Sequence, residues 1–415
     1  MDAAPECHCA RSPSGCTMTP GADICVAGGC GHIGLPLSIS FAAKGCRVLI
    51  YDINQRTLDT VAQGKMPFME RGAEPLLREA LDRGLLSFTS NPAATRGVPT
   101  IVITIGTPVD EFHNPSLKPI HNMIDELLPS LSDEQLIIMR STVFPGVTDA
   151  IAKYVLSKGR KTLISYCPER IAQGYAIEEL RTLPQIVSGV TQEAEDAAAR
   201  VFERIAPEVV RLTPVEAELV KLFSNAFRYI HFALSNQFFM IANAAGADFY
   251  RVLKGLKHNY PRMADMPGAG FAAGPCLFKD TMQLAAFYRH NFSLGHAAML
   301  VNEGMPQFMV DGLEARHSLE GKTVGILGMA FKGNSDDPRS SLSYKLKKLL
   351  ALKPCRVLTT DPSAEIDSEI RPLEEVLAQS DILILGAPHR VYKDLDLSNK
   401  VLVDIWDFWP KADSG

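Results

Sequence analysis

The sequence predicts an α/β protein with two parallel-sheet domains joined by a long-helix central domain. Three observations predict it. Short apolar strands alternate with helical runs from residue 23 to 212, and again from 318 to 415, the pattern of parallel sheets with crossover helices. Between these blocks, Val215 to Ala245 is almost all helix former, with no Pro and no Gly before Gly246. The first strand runs into a glycine turn, a helix, a second strand and an acid.

At 415 residues, the chain has room for two or three domains. Its 46% hydrophobic and 21% charged content is ordinary for a soluble globular protein. The net charge of −5 leaves no electrostatic footprint for nucleic acid. No apolar run is long enough to span a bilayer. The expected location is the cytoplasm, where the nine cysteines would be reduced thiols. Residues 1–22 read as a disordered leader. Cys7, His8, Cys9 and Cys16 within it match no standard zinc spacing, and no metal site is expected.

Residues 23 to 34 read as a short apolar strand running into Gly29-x-Gly31-x-x-Gly34, with His32 and Ile33 inside the turn, and Leu35 to Ala43 continues as a helix. Cys46 to Tyr51 is the second strand and Asp52 closes it. This is the layout of a Rossmann dinucleotide site: glycines admit the pyrophosphate to a helix N-terminus, and the acid holds the ribose hydroxyls. Asp52 argues for NAD over NADP. Arg56 is the counter-signal, and reads as opening the next helix.

Pro75 to Arg83 reads as a helix, Thr100 to Ile105 as a buried strand, Ile120 to Leu131 as a helix and Gln135 to Met139 as a strand. Thr107, Ser141 and Thr142 follow strand ends, where open parallel sheets bind ligands. They are also residue types that cap helices. Thr162 to Tyr166 and Gln185 to Val190 complete roughly six strands, and Glu169 again follows a strand end. Residues 23–212 thus form the first domain.

The helix from Val215 to Ala245, about 45 Å at 1.5 Å per residue, opens the central domain, 213–317. It is longer than one domain face needs, so it should link domains and carry a subunit contact. Lys221 and Asn225 share one of its faces. Lys221 has apolar neighbours, which suits either an acid–base lysine or a snorkelling surface one. Residues 246–266 carry Arg251, Lys254, Lys257, His258 and Arg262.

Then comes the stretch that organises the rest, Pro267 to Asp280, rich in Gly and Ala. Pro275 suits a helix start, and Leu277 to Phe287 reads as that helix. Cys276 would sit at its N-terminus, where the dipole favours thiolate, with Asp280 on the same face. The stretch alone is equally compatible with a buried Cys after a flexible loop. From 318 onward a shorter α/β unit repeats the first one's logic without its glycine pattern. Lys332 and Arg339 in its first loop suit an anion rather than a second dinucleotide.

Taken in order, the fingerprint, Ser-Thr-Val-x-Pro-Gly, Pro-Glu-Arg, Lys-x-x-x-Asn, Gly-Pro-Cys-x-x-Lys-Asp and Ala-Phe-Lys with Asp-Asp-x-Arg resemble the UDP-glucose/GDP-mannose dehydrogenase family, the nucleotide-sugar 6-dehydrogenases. The resemblance covers about residues 23 to 410. It implies two Rossmann-like domains joined by a long-helix central, dimer-forming domain, with NAD on the first and a UDP-sugar on the third. It implies four-electron oxidation of a sugar C6 alcohol to the acid. Cys276 would be the nucleophile that carries a thiohemiacetal and then a thioester. Lys221 would stabilise the oxyanion or shuttle a proton, Asp280 hold or activate a water, Asn225 position the sugar, and Glu169 act as base toward the thioester. Thr142 would lie near the reacting centre.

By the same resemblance Gly29, Gly31, His32, Ile33, Gly34, Asp52, Thr107, Thr142 and Arg339 would face the cofactor. The substrate would be met by Glu169, Arg170, Ile171, Lys221 and Asn225, and by Phe271, Gly274, Phe331 and Lys332. Arg262 would reach a neighbouring subunit's substrate in a homodimer. Pro168-Glu169-Arg170 looks like the UDP-N-acetylhexosamine branch, with UDP-GlcNAc or UDP-ManNAc as substrate. Lys279-Asp280 is more like UDP-glucose members. Two departures stand out: Ala272-Ala273 where many members carry Gly-Gly, and Arg140 where many carry Glu. Two further readings compete: a two-electron β-hydroxyacid dehydrogenase, and a non-catalytic nucleotide-sugar sensor.

Overall fold

A computed structural model describes residues 21–107, 116–363 and 367–409. Residues 1–20 of the proposed leader, with Cys7, His8, Cys9 and Cys16, lie outside these residues, whereas Ala22 is buried in the first domain's core. The first domain runs β1 (Ile24–Ala27), α1 (Gly34–Ala43), β2 (Val48–Tyr51), α2 (Gln55–Ala62), α3 (Ala73–Asp82), β3 (Leu86–Thr89) and β4 (Thr100–Ile103). It continues with α4 (Lys118–Leu127), β5 (Leu136–Met139), α5 (Val147–Ser157), β6 (Leu163–Tyr166), α6 (Ala176–Thr182), β7 (Gln185–Gly189), α7 (Gln192–Phe202) and β8 (Val209–Arg211).

These strands form one sheet in the order β3-β2-β1-β4-β5-β6-β7-β8. The sheet has eight strands, not the six read from the sequence. β3 and β8 escape because each lies at a sheet edge, and β8 is three residues long and only half buried. The sheet is also not wholly parallel, since β7 runs antiparallel to β6. β1 pairs with β2 on one side and β4 on the other, so the strand order reverses there. That reversal opens a crevice at the strands' carboxyl ends, the place where such sheets bind ligands.

The central domain comprises α8 (Pro214–Ala244), α9 (Phe249–Lys257), α10 (Leu277–Phe287) and α11 (Ser293–Glu314). α8 spans 31 residues and starts with a capping box, Thr213 and Glu216 each satisfying the other's backbone amide. Its inner face is buried under α10 and α11. Glu218, fully buried on α8, accepts hydrogen bonds from the Gly146 and Thr148 amides and the Thr148 hydroxyl, at 2.6, 2.8 and 2.6 Å. A side chain of the central helix thereby caps α5 of the first domain and joins the two.

The last unit is β9 (Thr323–Leu327), α12 (Leu342–Leu350), β10 (Arg356–Thr360), α13 (Leu373–Gln379), β11 (Ile382–Leu385) and β12 (Val401–Val403). Its parallel sheet has the order β10-β9-β11-β12. One apolar cluster runs from Phe239 on α8 through Met305 on α11 to Ile326 and Leu346 of this unit, so the two share a core. Among the described residues no helix is long and apolar enough to cross a membrane.

Candidate active site

The glycine turn after β1 assigns a separate task to each glycine. A Cβ on Gly29 would meet the Val26 carbonyl at 2.6 Å, and one on Gly34 would meet the Gly28 carbonyl at 2.4 Å and the Thr104 hydroxyl at 2.7 Å. Those two allow the tight turn and the close packing of α1. At Gly31 the nearest atom would be 3.4 Å away, so its missing side chain leaves room for a ligand. The Asp52 carboxylate, at the end of β2, accepts the Cys30 amide at 3.0 Å. His32 stacks on Phe68 with ring centroids 4.0 Å apart, and Ile33 sits at the N-cap of α1. The cradle and its acid fit a pyrophosphate and a ribose diol. Arg56 is exposed in the first turn of α2.

The hydroxyls at the next strand ends tie the crevice together. Thr107 donates to the Thr142 carbonyl at 2.7 Å, and Ser141 to the Ile105 carbonyl at 2.7 Å. They cap no helix: Leu117 and Gly146 occupy the N-cap positions of α4 and α5.

Cys276 is the N-cap residue of α10. One turn on, Asp280 is buried, and its Oδ2 accepts the Asn225 amide at 2.5 Å. Lys279 Nζ lies 3.4 Å from Asp280 Oδ1 and donates to the Thr107 carbonyl at 3.2 Å. Lys221, one turn before Asn225 on α8, is buried, so it is not a snorkelling surface lysine. Cys276, Lys221, Asn225, Asp280 and Thr107 therefore converge, although Thr107 and Asp280 are far apart in sequence. Lys279 was read from the sequence only as a marker of branch; here it joins the first domain to the thiol's helix.

Burial works against the thiolate that the helix position favours. Cys276 is exposed as a residue, yet protein crowds the thiol on most sides. That desolvation, and then the Asp280 carboxylate, raises its pKa against the opposing charges of Lys221, Lys279 and Arg339. A helix N-terminus alone does not outweigh burial beside an acid.

Nor is the glycine-alanine stretch a loose loop. Asn236 of α8 clamps Gly270 from both sides, accepting its amide at 2.9 Å and donating to its carbonyl at 3.0 Å. Ser235 holds the Pro267 carbonyl at 2.8 Å. A Cβ on Gly270 would strike the Trp406 ring at 2.3 Å, and one on Gly274 would strike Phe331 at 2.6 Å. Phe271 and Ala272 are buried, with Phe271 edge-on to Trp406. Asn236 and Trp406 were not singled out in the sequence, because nothing local marks a residue that holds a distant loop.

The third domain reaches across the cleft. Lys332 donates to the Gln173 carbonyl, Gln173 donates to Asp337 at 3.1 Å, and the Met69 amide donates to Asp336 at 2.8 Å. Arg339 forks onto Asp337, with Nη2 at 2.6 Å, and its charge acts on both His32 and Cys276. A cleft of about 670 Å³ opens between the domains, lined among others by Phe68, Arg71, Tyr175, Asn334 and Arg390.

Three groups expected to meet substrate have partners within the chain. The Glu169 carboxylate is buried, with one oxygen on Arg140 and the other on the Ile171 amide. Arg140 and Glu169 are therefore opposite charges paired in a dry interior. Arg170 donates to the Pro184 carbonyl. Arg262 is exposed and folds over Tyr260, its guanidinium 5.4 Å from the ring centre.

Family models for UDP-glucose/GDP-mannose dehydrogenases match three segments of the chain: the NAD-binding domain at residues 22–206, the central domain at 215–304 and the UDP-binding domain at 325–411. The chain is 28% identical to a UDP-N-acetyl-D-mannosamine dehydrogenase of Pyrococcus horikoshii over 395 residues, 91% of this chain and 93% of that protein. The solved UDP-D-ManNAc dehydrogenase of Pyrococcus horikoshii superposes with a TM-score of 0.87 at 26% identity, covering 94% and 97% of the two chains. A UDP-glucose dehydrogenase from Pyrobaculum islandicum gives 0.86 at 28% identity, covering 96% of each. Matched in all three domains, with a glycine cradle fit for NAD, the chain belongs to the UDP-glucose/GDP-mannose dehydrogenase family of NAD-dependent oxidoreductases.

Proposed function

We propose that the protein oxidises the C6 alcohol of a UDP-N-acetylhexosamine, UDP-GlcNAc or UDP-ManNAc, to the uronic acid in two steps on one cysteine. The observation that carries this reading is Cys276 at the start of α10 with Lys221, Asn225 and Asp280 gathered around it. Bound NAD supplies the hydride acceptor, held by Gly29, Gly31, Gly34 and Asp52. Cys276 captures the C6 aldehyde as a thiohemiacetal, and Lys221 places a positive charge where the oxyanion develops. A thiol that enters protonated loses its proton as the carbon–sulfur bond forms, and the oxyanion accepts it directly or through Lys221. Oxidation then yields a thioester, and water releases the acid.

The acetamido sugar is supported by Pro168-Glu169-Arg170 and by the name of the Pyrococcus relative. UDP-glucose is the second reading, supported by Lys279-Asp280 and by the equally close Pyrobaculum structure. A β-hydroxyacid substrate would leave the UDP-binding domain without a task. A non-catalytic sensor would have no need of the intact Cys276, Lys221 and Asp280. The protein is read as a cytoplasmic homodimer.

The test is a panel of UDP-Glc, UDP-GlcNAc, UDP-ManNAc and GDP-Man with NADH read out. An N-acetylhexosamine should give two NADH per sugar; one NADH per sugar would sink the four-electron reading. Cys276→Ser should stall before the acid is released, and full acid production by that variant would reject the covalent step.

A further inference from the structure

The third domain holds a buried pair of titratable side chains that the chemistry above does not use. Asp361 closes β10 and His389 lies in the loop after β11; both side chains are buried, and His389 Nε2 lies 3.2 Å from Asp361 Oδ2. Each partner has a second task. Asp361 Oδ2 accepts the Met329 and Ala330 amides at 2.7 and 2.9 Å, and Oδ1 accepts the Ser363 amide at 2.9 Å. His389 Nδ1 accepts the Asn334 amide at 3.2 Å. An accepting Nδ1 carries no proton, so in the neutral ring the proton sits on Nε2, the nitrogen beside the carboxylate. Burial works to raise the Asp361 pKa, yet His389 and the Ala330 and Ser363 amides hold it below its ordinary value.

Together the two side chains grip one loop by both ends. The loop leaves β9 at Gly328 and reaches Asn334; Asp361 holds Met329 and Ala330, His389 holds Asn334, and Phe331 and Lys332 lie between. Asn334 is kept at φ 55°, uncommon outside glycine, and its side-chain oxygen accepts the Arg390 amide at 3.0 Å. The loop also lies flush on the chain before His389, since a Cβ on Gly333 would meet the Pro388 carbonyl at 2.3 Å. Asn334, Ser363 and Arg390 line the cleft of about 670 Å³ from this side. All three are tied to the pair, directly or through one another. With the Met329, Ala330 and Phe331 amides engaged inside the protein, recognition at this turn falls to side chains.

Resting on the reading in which Phe331 and Lys332 meet the UDP-sugar, we propose that His389 is a positioning residue for UDP binding: its Nδ1 fixes Asn334, and so sets where Phe331 and Lys332 stand, while Asp361 fixes the ring. His389 itself touches no ligand in this role. Without the Nδ1 acceptor the Asn334 amide is left unpartnered in the interior. One end of the loop then loses its tie while Asp361 still holds the other.

The experiment titrates UDP and, separately, NAD into the parent, His389→Leu, His389→Asn and His389→Gln by calorimetry. An Asn side chain can set its oxygen where Nδ1 stands, and a Gln side chain can set its amide where Nε2 stands. His389→Leu is expected to weaken UDP about tenfold, the effect of one buried hydrogen bond lost, with NAD affinity within about twofold of the parent. His389→Asn is expected to recover UDP affinity to within about threefold of the parent, and His389→Gln to resemble His389→Leu. Unchanged UDP affinity in His389→Leu, or equal losses for UDP and NAD, overturns the proposal. Should His389→Leu fail to fold, the other two variants decide, and a Gln variant that binds UDP as well as the Asn variant overturns it. Because UDP alone is the probe, the result does not depend on any sugar being oxidised. A parent that binds UDP yet forms no NADH with any sugar of the panel sinks the proposed reaction and leaves this inference standing, whereas a parent that binds no UDP overturns this inference.

Discussion

At the scale of single residues, the thiol and the buried charges show how environment redirects a recognisable group. Cys276 carries the residue type and helix position of an activated thiol, yet desolvation and Asp280 push its pKa above the ordinary 9.0. Thiolate, not thiol, is the form that reacts. Alkylation of Cys276 by iodoacetamide, followed by peptide mass, should therefore keep rising through pH 9. A plateau below about pH 8 would mean the thiol is already ionised at neutrality. Arg140 was legible as a departure from a familiar pattern, but its consequence was not. Only the folded chain shows that β5 and β6 bring it against Glu169. Breaking such a buried pair from one side costs about 3–5 kcal/mol, so Arg140→Met should lower Tm markedly, and an unchanged Tm would show that the pair adds no stability.

At the scale of elements, the glycine-alanine stretch is a strap with defined contacts. Its Gly and Ala content was plain in the sequence, and the family resemblance placed Phe271 and Gly274 against the substrate. The structure adds that Gly274, at φ +100°, has its missing Cβ directed into the Phe331 ring. Gly274→Ala should destabilise the protein by about 1–3 kcal/mol and raise KM for the UDP-sugar, since Phe331 precedes Lys332. Unchanged Tm and KM would show that the contact is dispensable. The two missed strands, β3 and β8, lie at sheet edges, where half-burial blurs apolar patterning.

At the scale of the whole molecule, α8 has two faces. One is buried under α10 and α11. The other exposes Phe223, Phe227, Leu234, Phe238 and Ile241, each between 37% and 60% accessible. The spacing of four, seven, four and three residues draws one stripe along the helix. A contiguous apolar stripe of this kind is a candidate interface, and a twofold pairing of α8 with its copy would cover both stripes at once. Phe227→Asp should shift the protein to monomer in light scattering. A parent that is monomeric at micromolar concentration, or a variant that stays dimeric, would rule out this surface.

The sequence by itself determined the α/β alternation, the NAD cradle, the long helix, and the identities of Cys276, Lys221, Asn225 and Asp280. Each rests on local pattern: period, turn chemistry, or residues a few positions apart on one helix. Tertiary structure alone decided that burial and Asp280 raise the thiol's pKa, that Asn225 bonds Asp280, that Lys279 reaches Thr107, and that Glu169 belongs to Arg140. The reason is physical. Charge and proton affinity depend on dielectric and partners, and both are supplied by segments tens to hundreds of residues away.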